Sequence, residues 1–375
     1  MKFAVERGEF LKALAHGGSV VEKRTTVPIL SHVLIHAEGG QLNLTTTDMD
    51  LALVETIPAV VEKPGAITVS AHMVLEIVRK LPEGVQIEAT LNPENDQITL
   101  KAGKSRFNIS TLPAEQFPKL TQNDLPFSFK LTAEKLRYLI DRSRFAMSTE
   151  ETRYFLNGIY FHAHEVNGQK VLRSVATDAH RLACIEVDIP EGAESIPGII
   201  VGRKTITEIR KLINDENAET EITIRLSPQR VEFNLPQATL SSRLVDGTYP
   251  DYEQAIPVGN DKPVIVDAKD FAKAVDRVAT VTTDKLPVIK ISVAKNKLTL
   301  VAASSELGDA TEEMEVDFPF DQSIDIGFNA NYLVDITSQI GDEAAEILLS
   351  DGSAPAIIKG INDKEALFVL MPMRV

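Results

Sequence analysis

One pattern of six features recurs three times along the 375 residues, at a spacing of about 125 to 135. Each copy opens with an amphipathic helix, at Glu9-Phe10-Leu11-Lys12-Ala13-Leu14, Lys135-Leu136-Arg137-Tyr138-Leu139-Ile140 and Asp270-Phe271-Ala272-Lys273-Ala274-Val275. Apolar residues three and four apart turn one face of each helix to a core. An alternating strand pair follows across a polar turn: Val33–His36 with Leu42–Leu44, Gly158–Phe161 with Val171-Leu172, and Ile289–Val293 with Leu298–Leu300. Apolar alternation flanking Gly or Asn marks a hairpin. The second strand ends in a hydroxyl and an acid, at Thr47-Asp48, Thr177-Asp178 and Ser305-Glu306. A second helix carries Glu76-Ile77, Glu208-Ile209 and Asp335-Ile336, and closing strands lead into Leu112-Pro113, Leu244-Val245 and Met371-Pro372. Phe117-Pro118 and Tyr249-Pro250 lie the same distance beyond the first two closures.

A period this long excludes solenoid repeats of 20 to 50 residues. Each unit is a whole domain with two helices on antiparallel sheet, so the fold class is α+β with three similar domains. The expected boundaries give 1–126, 127–258 and 259–375, with breaks in polar and proline-bearing stretches such as Thr121–Asp124 and Pro257–Asn260.

Composition narrows the function. The chain is 43% hydrophobic and 25% charged, as a soluble globular protein is. No apolar run reaches a membrane span, and Met1–Glu6 lacks the apolar core of a signal peptide, so a cytoplasmic protein with no membrane partner is expected. Cys184 is the single cysteine; its flanks read as a strand and the thiol as a small buried side chain. No glycine-rich phosphate loop and no Gly-x-Ser-x-Gly elbow occur. His162 and His164 share one face of a strand, and Asp178 lies two residues from His180; together they are the alternative reading, a metal-dependent hydrolase. The other copies hold Asp48 with Asp50 and Glu306 with Gly308 at the matching places. A reactive pair present in one domain of three suits a scaffold better than an enzyme, and no cofactor is expected.

The net charge of −15 speaks against a nucleic-acid partner if it is spread evenly, because affinity for duplex DNA comes from cations on phosphates. It is not spread evenly. The six helical segments 5–24, 70–81, 132–147, 199–213, 267–285 and 327–341 total +6, which leaves −21 on the rest. A basic lining within an acidic body guides a phosphate backbone to the lining and repels it elsewhere.

Several strings resemble the beta sliding clamp family of bacterial DNA polymerase III. They are Met1-Lys2-Phe3, Arg153–Gly158, Ala176–Ala183, Leu244–Tyr252 and the terminal Met371-Pro372-Met373-Arg374-Val375, so the likeness runs end to end. It implies a non-catalytic processivity factor: a homodimeric ring, each chain half of it, with helices toward a hole that encircles double-stranded DNA without sequence specificity. It also implies a peptide-binding groove between the second and third domains. Carried over by position, the groove comprises Leu156, Thr177, His180, Arg181, Leu182, Pro250, Leu286, Asn329, Tyr332, Ser353, Val369, Met371, Pro372, Met373 and Arg374. Its implied partners are the polymerase alpha subunit, the clamp-loader delta subunit, other polymerases, and mismatch-repair or ligase proteins. The resemblance places DNA contacts at Arg24, Arg79, Lys80, Arg153, Tyr154, Arg203 and Lys204, and dimer contacts at Phe107 and Ile109 against Thr280 and Val281. Ala179 stands where the family usually has glycine, and Gln254-Ala255 where a basic and an aliphatic residue are common.

Overall fold

A computed structural model describes residues 1–22, 26–92, 95–120, 124–282 and 287–375. The first repeat runs β1 (Lys2–Glu6), α1 (Arg7–Val20), β2 (His32–Glu38), β3 (Gln41–Thr47), β4 (Leu51–Pro58), β5 (Val60–Lys63), β6 (Gly65–Ser70), α2 (Ala71–Lys80), β7 (Gln86–Asn92), β8 (Gln97–Ala102) and β9 (Ser105–Leu112). The second runs β10 (Phe127–Thr132), α3 (Ala133–Ser143), β11 (Gly158–Val166), β12 (Gln169–Thr177), β13 (Arg181–Asp188), β14 (Ile199–Gly202), α4 (Arg203–Asn214), β15 (Glu221–Leu226), β16 (Arg230–Asn234) and β17 (Ala238–Arg243). The third runs β18 (Lys262–Asp267), α5 (Ala268–Ala279), β19 (Val288–Ala294), β20 (Lys297–Ser304), β21 (Gly308–Glu315), β22 (Ile324–Asn329), α6 (Ala330–Ile340), β23 (Ala344–Leu349), β24 (Ala356–Gly360) and β25 (Ala366–Leu370). Strand, helix, four strands, helix, three strands is thus written three times, with β5 the only insertion among the described residues.

The local chemistry repeats with it. Each opening helix is capped by a side chain just before it: Glu6 accepts from the Glu9 amide at 2.9 Å, Thr132 from Lys135 at 3.2 Å and Asp267 from Asp270 at 2.9 Å. A cap satisfies an amide that the helix's first turn leaves without a partner. All three hairpins form: Ile35 lies opposite Leu44 and Ile291 opposite Leu300 within the expected segments, while in the second Val171 and Leu172 face His164 and Ala163, beyond Gly158–Phe161.

The polar turn after each second strand also recurs, with one correction. Asp48 accepts from the amides of Asp50 and Leu51, and Asp178 from those of His180 and Arg181. In the third repeat the Ser304 hydroxyl takes this place, bonding the amides of Glu306 and Leu307, so Ser305-Glu306 is not the equivalent pair. Any short acceptor at that position closes the turn, and sequence spacing alone placed the acceptor two residues late, at Glu306 instead of Ser304.

Two compact units divide the chain. The first comprises 1–137, 190–193 and 204–244; the second comprises 138–189, 194–203 and 245–375. Within the first, a 13-stranded antiparallel sheet has the order β10-β15-β16-β17-β4-β3-β2-β6-β9-β8-β7-β1-β5. Its N-terminal core gathers Phe3, Phe10, Leu14, Ile35, Leu42, Ile87 and Ile98. Within the second, an eight-stranded sheet has the order β14-β11-β12-β13-β25-β24-β23-β18, beside a four-stranded sheet β21-β20-β19-β22.

The sheets cross repeat boundaries by one rule. The last strand of each later repeat pairs with the fourth strand of the repeat before it: β17 with β4, placing Leu240 opposite Leu53, and β25 with β13, placing Val369 opposite Leu182. Strand addition satisfies backbone groups that an edge leaves unpaired, so the repeats share continuous sheets.

Candidate functional site

The second seam, within the second unit, carries the strongest candidate site. Thr177 ends β12, and its hydroxyl donates to the Arg181 carbonyl at 2.7 Å while accepting from the Ala179 amide at 3.1 Å. Ala179 is held at φ 74°. That conformation costs an L-residue roughly 1–2 kcal/mol, which is why glycine suits the position. Ala179→Gly is expected to stabilise the protein by about 0.5 kcal/mol after its extra unfolded-state entropy is counted. A thermal melt at or below the parent's midpoint would show that the turn is unstrained.

Arg181 organises the seam. Its guanidinium meets Asp178 at 3.1 Å, Asp335 at 2.5 Å and the Phe145 carbonyl at 2.8 Å. It also lies over the Tyr332 ring at 4.2 Å and the Phe145 ring at 5.0 Å. A planar guanidinium donates to acids along its edge while its faces meet aromatic rings, which a lysine ammonium cannot do. Tyr332, in α6, stacks on His180 at 6.4 Å between centroids. Asn329 caps α6, accepting from the amides of Asn331 and Tyr332.

Beside this polar cluster is an apolar floor. Leu156, Val175, Leu182, Cys184, Ile200, Tyr249, Tyr252 and Val369 pack as one buried cluster, edged by Phe155, Tyr160 and Val245. Tyr160 and Tyr249 stack at 4.8 Å with rings 5° from parallel. The C-terminal segment borders the seam through its backbone: the Met371 amide donates to the His180 carbonyl at 2.9 Å, and the Met373 amide to the Gly327 carbonyl at 2.8 Å. Gly327 has no room for a side chain, because a Cβ there would lie 2.6 Å from the Met373 carbonyl oxygen. Met371, Pro372 and Met373 are half-buried, while Arg374, Pro250 and Ser353 are exposed. Ser353 is tied to Asp351 through its amide and hydroxyl. Of the sequence-expected groove residues, Leu156, Leu182 and Val369 share the floor, and His180, Arg181 and Tyr332 the polar cluster. Leu286 lies outside the described residues.

Val175, Cys184, Ile200, Tyr249 and Tyr252 share the floor without standing among the expected groove residues. Tyr249 was within reach, since it precedes Pro250 in a string that the repeat had already marked.

The remaining expected contacts divide. Arg79 and Lys80 are exposed at the end of α2, Arg79 pairing with Glu76; Arg153 pairs with Glu150 at 3.4 Å, and Tyr154 is exposed. Arg203 instead donates to the Met147 and Ser148 carbonyls at 2.9 and 2.7 Å, and burial lowers its pKa. Lys204 donates to the Val20 carbonyl and to Asp48. Both cations are thus paired within the fold, Arg203 half-buried and Lys204 exposed. Arg24 lies outside the described residues. Phe107 is half-buried and lines a cavity of about 660 Å³ with Met73, Ile77 and Leu81. Ile109, expected at the same contact, is 4% exposed and belongs to the N-terminal core. Thr280 and Val281 follow α5, the first exposed and the second half-buried.

The hydrolase alternative fails on geometry. Both ring nitrogens of His162 are occupied, one on the Ala163 carbonyl and one on the Tyr252 hydroxyl, each at 3.0 Å. Asp178 is spent on the turn and on Arg181, so it orients no histidine as a base. Burial pushes the Cys184 thiol up to about 12, far from a reactive thiolate.

Burial also holds His162 down to about 4. The unfolded chain takes up this proton below about pH 6.5 and the folded chain only near 4, so stability is whole above pH 6.5 and declines toward 4. Urea midpoints at pH 7.5 and 5.0 should therefore differ more for the parent than for His162→Gln. Equal differences would remove His162 from the acid response.

Three like domains of helix on sheet, joined by strand pairing across the repeat boundaries within each unit, define a three-domain repeat scaffold. Residues 1–121, 130–251 and 253–374 match the N-terminal, central and C-terminal domains of the DNA polymerase III beta subunit. A beta sliding clamp of Caulobacter vibrioides is 44% identical over the full length of both chains, and one of Pseudomonas aeruginosa is 38% identical over the same share. A Bartonella birtlesii clamp solved with griselimycin superposes at a TM-score of 0.96 with 41% identity, covering all of both chains. A Caulobacter crescentus clamp, solved with polyethylene glycol at a putative beta-motif tethering region, gives 0.96 at 43% identity over 100% of this chain and 99% of that one. The chain belongs to the DNA polymerase III beta subunit family, the beta sliding clamps, which are replication processivity factors and not enzymes.

Proposed function

We propose that two chains of three domains, bounded near 126 and 258, join head to tail into a ring that encircles duplex DNA and tethers polymerase and other partners through the second-seam groove. The observation that carries this is the seam rule. Of the strands that the rule pairs, β9 has no earlier repeat to join and β21 no later one, so β9 of one protomer completes the series on β21 of its partner. β9 meets β6 through only two residue pairs, and β21 is a sheet edge. Their charges are opposite: Asp309, Glu312, Glu313 and Glu315 on β21, Lys101, Lys104 and Arg106 at β8 and β9. The cavity beside Phe107 offers a socket for the partner's α5 end, near Thr280 and Val281.

The lining reading rests on charge, for the segments carrying the helices total +6 within a chain of −15. A closed ring holds DNA by topology, so a weakly basic lining permits sliding. The protein, once loaded, should therefore remain on nicked circular DNA at salt that removes it from linear DNA with free ends. Equal loss from both would mean that phosphate affinity, not encirclement, retains it. The apolar floor beside Met371 and Met373 supports the groove, since thioethers adapt to varied peptides.

A further inference from the structure

Within the first unit, the seam between the N-terminal and central repeats holds a pocket of about 130 Å³ that reproduces the groove's place in the repeat. Ser241 on β17 lies opposite Ala52 on β4, as Val369 lies opposite Leu182 at the second seam. Thr47 bonds the Leu51 carbonyl as Thr177 bonds that of Arg181, and Pro118 corresponds to Pro250. The exchanges are directional: leucine becomes Ala52, valine becomes Ser241 and histidine becomes Asp50. The result is smaller and more polar than the groove.

Its charge is the second observation. Arg230 and Arg243 lie directly opposite each other on β16 and β17. Like charges so placed repel, and Lys119 lines the same pocket. Arg243 meets Asp50 at 3.4 Å. The side chains of Arg230 and Lys119 have no acidic partner among the described residues, in a chain of net charge −15. Met49 and Leu120, at 59% and 44% exposure, bring apolar surface to the same lining.

We propose that this pocket is a second docking site, which takes an acidic side chain from a short peptide segment of a partner protein. The carboxylate pairs with Arg230 and Lys119, and a neighbouring aliphatic side chain packs on Met49 and Leu120. The volume suits a carboxylate with a few waters, each of which takes about 30 Å³ in the liquid. The apolar surface and the groove-like position favour peptide over nucleic acid. The proposal rests on the reading of the second seam as a peptide groove, and its test separates the two.

Fluorescein-labelled Ala-Asp-Leu-Glu-Ala is titrated against the full-length protein by anisotropy, beside the same peptide with Asn and Gln replacing the acids. The acidic peptide should bind, and Arg230→Glu or Lys119→Glu should each weaken it about tenfold, as loss of a charge-assisted bond does. The neutral peptide should be weaker by a similar factor. Truncation after Leu370, which removes the second-seam segment, should leave binding unchanged. Lys119 is exposed, so its variant keeps the test open if Arg230→Glu fails to fold. No binding at about 1 mM, equal binding of the neutral peptide, or loss on truncation rather than on charge reversal would overturn the proposal. Displacement by a ten-nucleotide oligothymidylate at equal concentration, assigning the cations to phosphate, would do the same.

Discussion

Phe107→Asp should turn the dimer into monomers and abolish retention on circular DNA. Phe107 lines the cavity beside β9, and in the proposed ring its aromatic side chain would exclude water from a contact otherwise made of backbone and exposed charge. Buried aromatic anchors carry 2 kcal/mol or more at interfaces, and a carboxylate there adds a desolvation cost. The dimer dissociation constant should rise about a thousandfold, which corresponds to about 4 kcal/mol. Sedimentation across a concentration series reads this directly. An unshifted dimer would remove Phe107 from the interface. Ile109→Ala should behave differently: it lies in the N-terminal core, so it should lower the melting midpoint more than it shifts dimerisation.

The second large effect belongs to the groove. Truncation after Leu370 removes Met371, Met373 and the two backbone hydrogen bonds that lay the terminal segment against the seam. Affinity for a clamp-binding peptide of the polymerase alpha subunit should fall at least about a hundredfold, because the removed side chains would supply apolar contact at its centre. The dimer should persist, since β9, β21 and the Phe107 cavity are untouched. Anisotropy with labelled peptide and sedimentation of the same sample measure both. Full peptide affinity after truncation would place the binding surface elsewhere.

Much of this protein is legible in residue order. The helices at Glu9, Lys135 and Asp270 and the hairpins at Val33, Gly158 and Ile289 form where periodicity put them, because side-chain direction along a helix or strand follows local backbone geometry. The roles of single polar residues were less legible. Arg203 and Lys204 stand in a basic run, and only the structure shows their bonds to the carbonyls of Met147, Ser148 and Val20. Ile109 and Phe107 differ by two positions and share one face of a strand, but one reaches the core and the other its rim.

Sequence by itself determined the threefold repeat and the helices and hairpin within each copy, since both follow from spacing and residue type. Only the tertiary structure decided the seams, where β17 joins β4 and β25 joins β13, and with them which side chains meet at Arg181 and at Arg230. Strand pairing between repeats is made by backbone groups that every residue except proline carries alike, so the side-chain pattern names the strands but leaves their neighbours to the packing of the whole chain.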